Sequence, residues 1–329
     1  MFPTFTAIEE ARPGPAWQAL WAEREEAYRA WFLQDGDAAR PSYLASARAL
    51  RTHMPELVPV WERLVELAGG GDLAARLLSL WRPPPFLAAC SQAVWTEGAP
   101  VLVRNYDYDP ALFEAVVPST AWTGRRVIGT SDVLWGLLDG MNDAGLAVSL
   151  TFGGRPVVGE GFGVPLVVRY LLEVCETVEE AAAVLRRVPV HQAHNLTLVD
   201  RTGTVLTAHL APDREAGLTA APVATNHQSE VEWHAHARAT RTVEREAYLY
   251  GLLDDPLTTP DTLADAFLRP PLRATRFANG FGTLYTAAYR PAEGRLDLLW
   301  PGSRWAASFA GFPAGAFTPD LEPGLAARA

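Results

Sequence analysis

Three consecutive prolines, Pro83-Pro84-Pro85, divide this chain into two stretches of different periodicity. Proline lacks a backbone N–H and has a fixed φ, so neither a helix nor an inner strand runs through such a segment. Upstream, residues 14–35 and 41–81 read as helical. PAWQALWAEREEAYRAWFL sets Trp17, Leu20, Trp21, Tyr28 and Trp31 on one or two helix faces. Pro41 opens a second helix, Gly69-Gly70-Gly71 ends the helix carrying Met54 to Leu67, and DLAARLLSLW forms a shorter third one.

Downstream the pattern changes to strands. SQAVW and VLVRNY flank Thr96-Glu97-Gly98-Ala99-Pro100 as the two arms of a hairpin. Further strands lie in VIGTSDVLWGLLDGMNDAGLAVSLTF, around an Asn-Asp-Ala-Gly turn, and in VATN. NLTLVDRTGTVLTAHLA and GTLYTAAYRPAEGRLDLLW read as hairpins turning at Asp200–Gly203 and Glu293-Gly294. Between them, VPLVVRYLLEVCETVEEAAAVLRRV is a helix interrupted near Thr177, where Thr177 and Glu180 have capping-box spacing. Residues 237–253 and 260–268 are helical. Strands, then helices, then strands predict a layered α/β or α+β domain with largely antiparallel sheets.

Bulk properties narrow the function. With 49% apolar and 20% charged residues, a 329-residue chain can bury a substantial core. A net charge of -10 and no basic cluster in the sequence argue against nucleic acid or an anionic membrane as partner. No apolar run approaches the roughly 18 residues that span a bilayer. The start, MFPTFTAIEEARPGP, has acidic residues and prolines where a signal peptide needs a basic end and an apolar stretch, so a cytoplasmic location is expected. Two cysteines make no disulfide framework, and no CxxC pair suggests zinc.

Cys90 follows two alanines and precedes Ser91, whereas Cys175 lies among Leu171, Leu172 and Val174 and reads as core. If the hairpin turns near Gly98-Ala99, residues whose numbers sum to about 197 face each other, and Cys90 lies opposite Asp107. Arg104, three residues away, then takes the other face and reaches the thiol only if the strand bulges near Asn105. A thiol needs activation, because the thiolate is the nucleophile. None of the seven histidines has a spacing that marks it as the partner, and His227, His234 and His236 read as exposed loop histidines rather than metal ligands. The other available base is an α-amine, with a pKa of about 7.7–8.0, which requires Cys90 to become an amino terminus.

CS followed by VLVRNYDYDP, then DGMNDAGLAVSLTF, NLTLVDRTG, ATNHQ and TLYTAAYRPAEG, resembles the N-terminal-nucleophile (Ntn) cysteine hydrolases. The nearest resemblance is to the penicillin acyltransferase-like peptidase family, related to bile-salt hydrolases and penicillin V acylases. The matches run in order from Cys90 to about Phe309. The resemblance implies a four-layer αββα sandwich, with residues 1–89 as a helical pro-segment and 90–329 as the catalytic domain. It implies that the chain cuts itself at Ala89–Cys90, where family members commonly have Gly before the Cys, and that the upstream piece stays docked as a small subunit. Cys90 is then the nucleophile, Asp107 orients its amine, Arg104 favours the thiolate, Asn226 donates to the oxyanion, and Arg241 is the family's helix-start Arg, with Arg238 and Arg245 as competitors. Thr151 falls where bile-salt hydrolases have an Asn, which leaves its backbone N–H for that role, and Asn142 belongs to the pocket wall. The implied reaction is attack on an acyl amide or thioester without metal or organic cofactor, through an acyl-enzyme resolved by water or an amine. The rival readings are a non-catalytic binding or structural protein on the same fold with an uncut chain, and a thiol enzyme that works through a His without cleavage.

Overall fold

The computed structural model describes residues 2–320. Its first element is a strand, β1 (Phe5–Glu10), in a stretch expected to be part of a helical region. FTAIEE alternates, with Phe5 and Ala7 buried and Thr6 and Ile8 half-buried, but six residues are too few to stand out against the helical pattern that follows. Four helices come next: α1 (Pro15–Phe32), α2 (Tyr43–His53), α3 (Val58–Leu67) and α4 (Asp72–Leu78). Pro15 occupies the first turn of α1, and the Glu10 carboxylate accepts from the Ala16 and Trp17 amides, so the end of β1 caps the helix. Trp17, Trp21 and Tyr28 stack in succession along α1.

After the prolines come the hairpin β2 (Ala89–Trp95) and β3 (Val101–Tyr108), then β4 (Val116–Thr120), β5 (Val127–Asp132), β6 (Gly136–Asn142) and β7 (Leu146–Phe152). Helices α5 (Val164–Val174) and α6 (Val178–Arg187) follow, the second capped by Thr177, whose hydroxyl accepts from the Glu180 amide as its spacing predicts. The chain continues through β8 (His194–Asp200), β9 (Val205–Ala211), β10 (Arg214–Thr219) and the short β11 (Val223–Ala224). Next are α7 (His234–Thr240), α8 (Thr242–Asp254) and α9 (Pro260–Phe267). Strands β12 (Gly282–Arg290), β13 (Arg295–Trp300), β14 (Ser303–Ser308) and β15 (Gly315–Phe317) close the fold.

The strands form two sheets, in the orders β10-β9-β8-β7-β6-β5-β4-β1-β15 and β11-β2-β3-β12-β13-β14. All pairings are antiparallel except that of β1 with β4. The sheets face each other through β2 and β3 against β7 and β8; α5 and α6 cover the outer face of the larger sheet, and α8 and α9 that of the smaller. This is the αββα sandwich. Gly140 makes the α5 contact close, because a Cβ there would meet the Leu172 side chain at 2.8 Å and the Ile128 carbonyl at 2.9 Å.

Indole N–H groups tie the upstream helices to the sandwich: Trp17 donates to the Leu134 carbonyl and Trp135 to that of Leu78. Glu114 is the second anchor. Its carboxylate accepts from the Tyr28 hydroxyl on α1, from Ser131, and from the Leu134 amide. Burial and the nearby Asp132 carboxylate push Glu114 up from 4.5 to about 8.

This docking can be tested at both anchors. Phe5 is fully buried and packs on Phe113, Tyr285, Trp300 and Phe317. Phe5→Ala should therefore cost about 3–5 kcal/mol in urea unfolding, and a loss below about 1 kcal/mol would mean that β1 is not part of the cooperative core. Folding holds the Glu114 proton more tightly than the unfolded chain does, so this group's contribution to stability is full below about pH 4.5 and is lost as pH rises through about 8. The melting temperature of the wild type should fall relative to Glu114→Gln across that window; a difference independent of pH would show that Glu114 does not titrate there.

Candidate active site

The hairpin loop Thr96–Pro100 has Gly98 at its centre, in the left-handed region with φ +84°. Pairing is therefore symmetric about Gly98: Ala89 faces Asp107, Cys90 faces Tyr106, and Gln92 faces Arg104. This corrects the expected register by one residue. Opposed residues of an antiparallel pair point to the same side, so Cys90, Arg104 and Tyr106 share the face that looks into the sandwich. Arg104 reaches the thiol from a regular strand, with no bulge near Asn105. Asp107 turns to the opposite side.

All the groups around Cys90 are buried, and the thiol itself has no exposed surface. Arg104 Nη2 lies 3.0 Å from the Cys90 Sγ. Its Nη1 pairs with the Asp139 carboxylate, which also accepts from the hydroxyls of Tyr285 and Tyr289. Tyr106 packs against the same guanidinium, 4.9 Å from ring centroid to Cζ. Burial pushes the Cys90 thiol up to about 11, against the opposing pull of Arg104. In the intact chain at neutral pH, Cys90 is therefore a protonated thiol.

The backbone of Cys90 is held from the other side. Its amide donates to Asn226 Oδ1 at 3.0 Å, and Arg245 Nη1 donates to its carbonyl at 3.0 Å. Arg245 also binds Asn226 Oδ1 at 2.6 Å, the Ser91 hydroxyl at 2.8 Å and Asp107 Oδ2 at 3.4 Å. Asp107 Oδ1 accepts from Thr283 at 2.6 Å. A bulge in β12 at Leu284 lets Thr283 meet Asp107 on one face of the sheet while Tyr285 meets Arg104 on the other. Burial raises Asp107 to about 6, with Arg245 opposing.

Cys90, Arg104, Asp107 and Asn226 thus come together, and Arg241 does not. Arg241 sits exposed between α7 and α8 with φ +52°. Thr242, Arg245 and Leu249 form the buried face of α8, so helix phase selects Arg245, one turn further on. Thr151 directs its hydroxyl to the Thr225 carbonyl. Asn142 binds the carbonyls of Leu172 and Cys175 and the Leu146 amide, which pins the β6–β7 turn to the end of α5 away from the thiol. His227 bonds Thr242 and Glu246, and His236 packs on Phe152 and Trp233.

Two residues went unrecognised in the sequence. Asp139, which has no separate signal within DGMNDAG, anchors Arg104. Asn195 donates to the carbonyls of Thr225 and His227 on either side of Asn226 and so sets its position. The only signal for Asn195 was a polar residue heading the NLTLVD strand.

A cavity of about 260 Å³ opens beside Tyr106. Tyr28 and Trp31 of α1, Pro83 and Phe86 of the linker, and Phe113 wall it, and the Glu114 and Asp132 carboxyl groups border it. Ala88 and Ala89, which join the linker to Cys90, are buried as well.

No curated protein matches the sequence significantly. Several solved structures align with the chain. A mutant of the conjugated bile acid hydrolase from Clostridium perfringens aligns with 13% identity and a TM-score of 0.41, covering 70% of this chain and 97% of that one. Penicillin V acylase from Agrobacterium tumefaciens gives 15% and 0.48, over 67% and 86%. The Caenorhabditis elegans ortholog of N-acylethanolamine-hydrolyzing acid amidase gives 15% and 0.47, over 70% and 100%. The match to a family is firmer: the model of acyl-coenzyme A:6-aminopenicillanic acid acyl-transferase covers residues 94–305, more than half of the chain, beginning just after Cys90. The protein belongs to that family of Ntn hydrolases.

Proposed function

We propose that this protein is an Ntn cysteine amidohydrolase or acyltransferase in which Cys90 is the nucleophile. Family membership establishes the coarser description, an enzyme of the acyl-amide hydrolase and acyltransferase class. The observation that carries the finer reading is the 3.0 Å contact between Arg104 Nη2 and the Cys90 Sγ, inside a site where the Cys90 backbone is also bound on both its N–H and its carbonyl.

The first step is self-cleavage. The thiol attacks the Ala89 carbonyl, the peptide C–N bond breaks, and the acyl group moves from nitrogen to sulfur as the Cys90 amine takes a proton. Water then hydrolyses the thioester, leaving a carboxylate on Ala89 and a free thiol on Cys90. Once the bond is cut, withdrawal of the new Ala89 carboxylate end admits solvent, which relieves the desolvation that holds the thiol protonated and leaves the pull of Arg104 toward the thiolate. The liberated amine inherits the position of the Cys90 amide, against Asn226 Oδ1. We therefore assign Asn226, held by Arg245, to orienting the base through its Oδ1; one hydrogen of its Nδ2 donates to the Phe152 carbonyl at 3.3 Å, and the other remains available to an oxyanion. Asp107 acts on the same assembly through Arg245. Arg245 replaces Arg241 in the catalytic set.

In the second reaction the thiolate attacks an acyl amide or thioester, with the acyl group in the aromatic-walled cavity beside Tyr106. The acyl-enzyme is released by water or by an amine. Helix α1 walls this cavity, so the upstream piece remains a working part of the enzyme after cleavage.

Intact-mass and amino-terminal sequencing test the first step. The wild type should separate under denaturing conditions into two chains beginning at residues 1 and 90, while Cys90→Ala should remain a single 35.8 kDa chain. An uncut wild type that still hydrolyses acyl amides would remove the α-amine from the mechanism, and full turnover by Cys90→Ala would remove the nucleophile.

A further inference from the structure

On the side of β3 opposite the thiol, a cavity of about 480 Å³ opens beside Asp107. Five guanidinium groups line it, those of Arg238, Arg241, Arg245, Arg273 and Arg276, with Asp107 as the one carboxylate among its lining residues. The chain has no lysine, and these are five of its 28 arginines in a protein of net charge -10. The cluster is invisible in the linear sequence because it joins the α7–α8 junction to the segment after α9.

Three of these arginines lack the carboxylate clamps seen at other sites. Arg155 is clamped by Asp213 and Glu232, and Arg76 by Asp37 and Asp72. Among the described residues, Arg238, Arg241 and Arg276 have no ion pair. Arg276 donates only weakly, to the Ala239 carbonyl at 3.4 Å, and lies over the Phe281 ring. Five like charges around a single carboxylate, Asp107, leave an excess of positive charge, and their repulsion is relieved when an anion enters. Guanidinium forks suit the planar oxygens of carboxylates and phosphates. Arg245 links the cavity to the site, since the same side chain binds the Cys90 carbonyl.

We propose that this arginine-lined cavity is an anion site that seats a carboxylate- or phosphate-bearing amine or thiol half of the substrate. The acyl half occupies the aromatic-walled cavity on the other face. The assignment of the two halves rests on Cys90 as the acyl-accepting residue; the anion site itself does not.

Calorimetric titration of the purified wild-type protein with inorganic phosphate and, separately, with glutarate tests the site and distinguishes its two chemistries. One of the two should bind, and Arg238→Gln/Arg276→Gln should weaken it about 10-fold. Failure of both anions to bind the wild type, or equal binding by the variant, overturns the site. Kinetics on two amides with one phenylacetyl group, one releasing glutamate and the other its neutral diamide, test the assignment. The double variant should raise KM for the anionic amide about 10-fold while kcat and the neutral amide are unaffected. Equal shifts on both amides would overturn the placement of the charged half. If the wild type turns over neither amide, the acyl-transfer reading fails, while a calorimetric loss in the variant still upholds the anion site.

Discussion

The ion pair between Arg104 and Asp139 is the constraint from which the site follows. A guanidinium removed from water costs several kcal/mol unless a carboxylate and further hydrogen bonds compensate it. Here both side chains are fully buried, on β3 of one sheet and β6 of the other. The pair therefore bridges the two layers, and a slip of one sheet against the other would strand both charges. Tyr285 and Tyr289 complete the carboxylate, which leaves Nη2 of the guanidinium directed at the Cys90 thiol. The positive charge beside the sulfur is thus part of what holds the sandwich together.

Two opposing effects act on that sulfur, and burial wins in the uncut chain. The balance keeps the sulfur protonated. A permanently ionised thiolate beside a peptide carbonyl would be open to oxidation or to reaction with other electrophiles. The fixed charge of Arg104 is already in place beside the sulfur, so ionising the thiol requires no rearrangement of the guanidinium. The linker itself is well held: Arg82 donates to the Gly161 carbonyl, Gly163 donates to that of Leu80, and Trp81 packs on Phe162 at 4.8 Å.

Local chemistry was legible in the sequence; long-range phase was not. The helix break and cap at Thr177 and the loop of the β2–β3 hairpin depend on residues within a turn or two of each other, and they read correctly; the helix expected over 237–253 is instead broken at Arg241. The register of that hairpin depends on the centre of a five-residue loop. Placing the centre half a residue beyond Gly98 moves Cys90 from Tyr106 to Asp107 and exchanges the two faces. Arg241 and Arg245 are both arginines at the start of one helix, and only the packing of α8 on β2 and β11 separates them. Asp139 could not be recognised, because its partner lies 35 residues earlier on a different sheet. Strand β1 escaped because its neighbours, β4 and β15, lie far downstream and at the end of the chain.

The position of β1 bears on more than the architecture. It pairs with β4 on one side and β15 on the other, so it is an inner strand supplied from upstream of the prolines. A recombinant chain begun at Cys90 would open a gap in the larger sheet and bare the edges of two strands whose N–H and C=O groups had been paired. Unpaired strand edges recruit other chains. Such a truncation would fail first through insolubility, and β1 is in this sense the strand that guards the larger sheet against self-association.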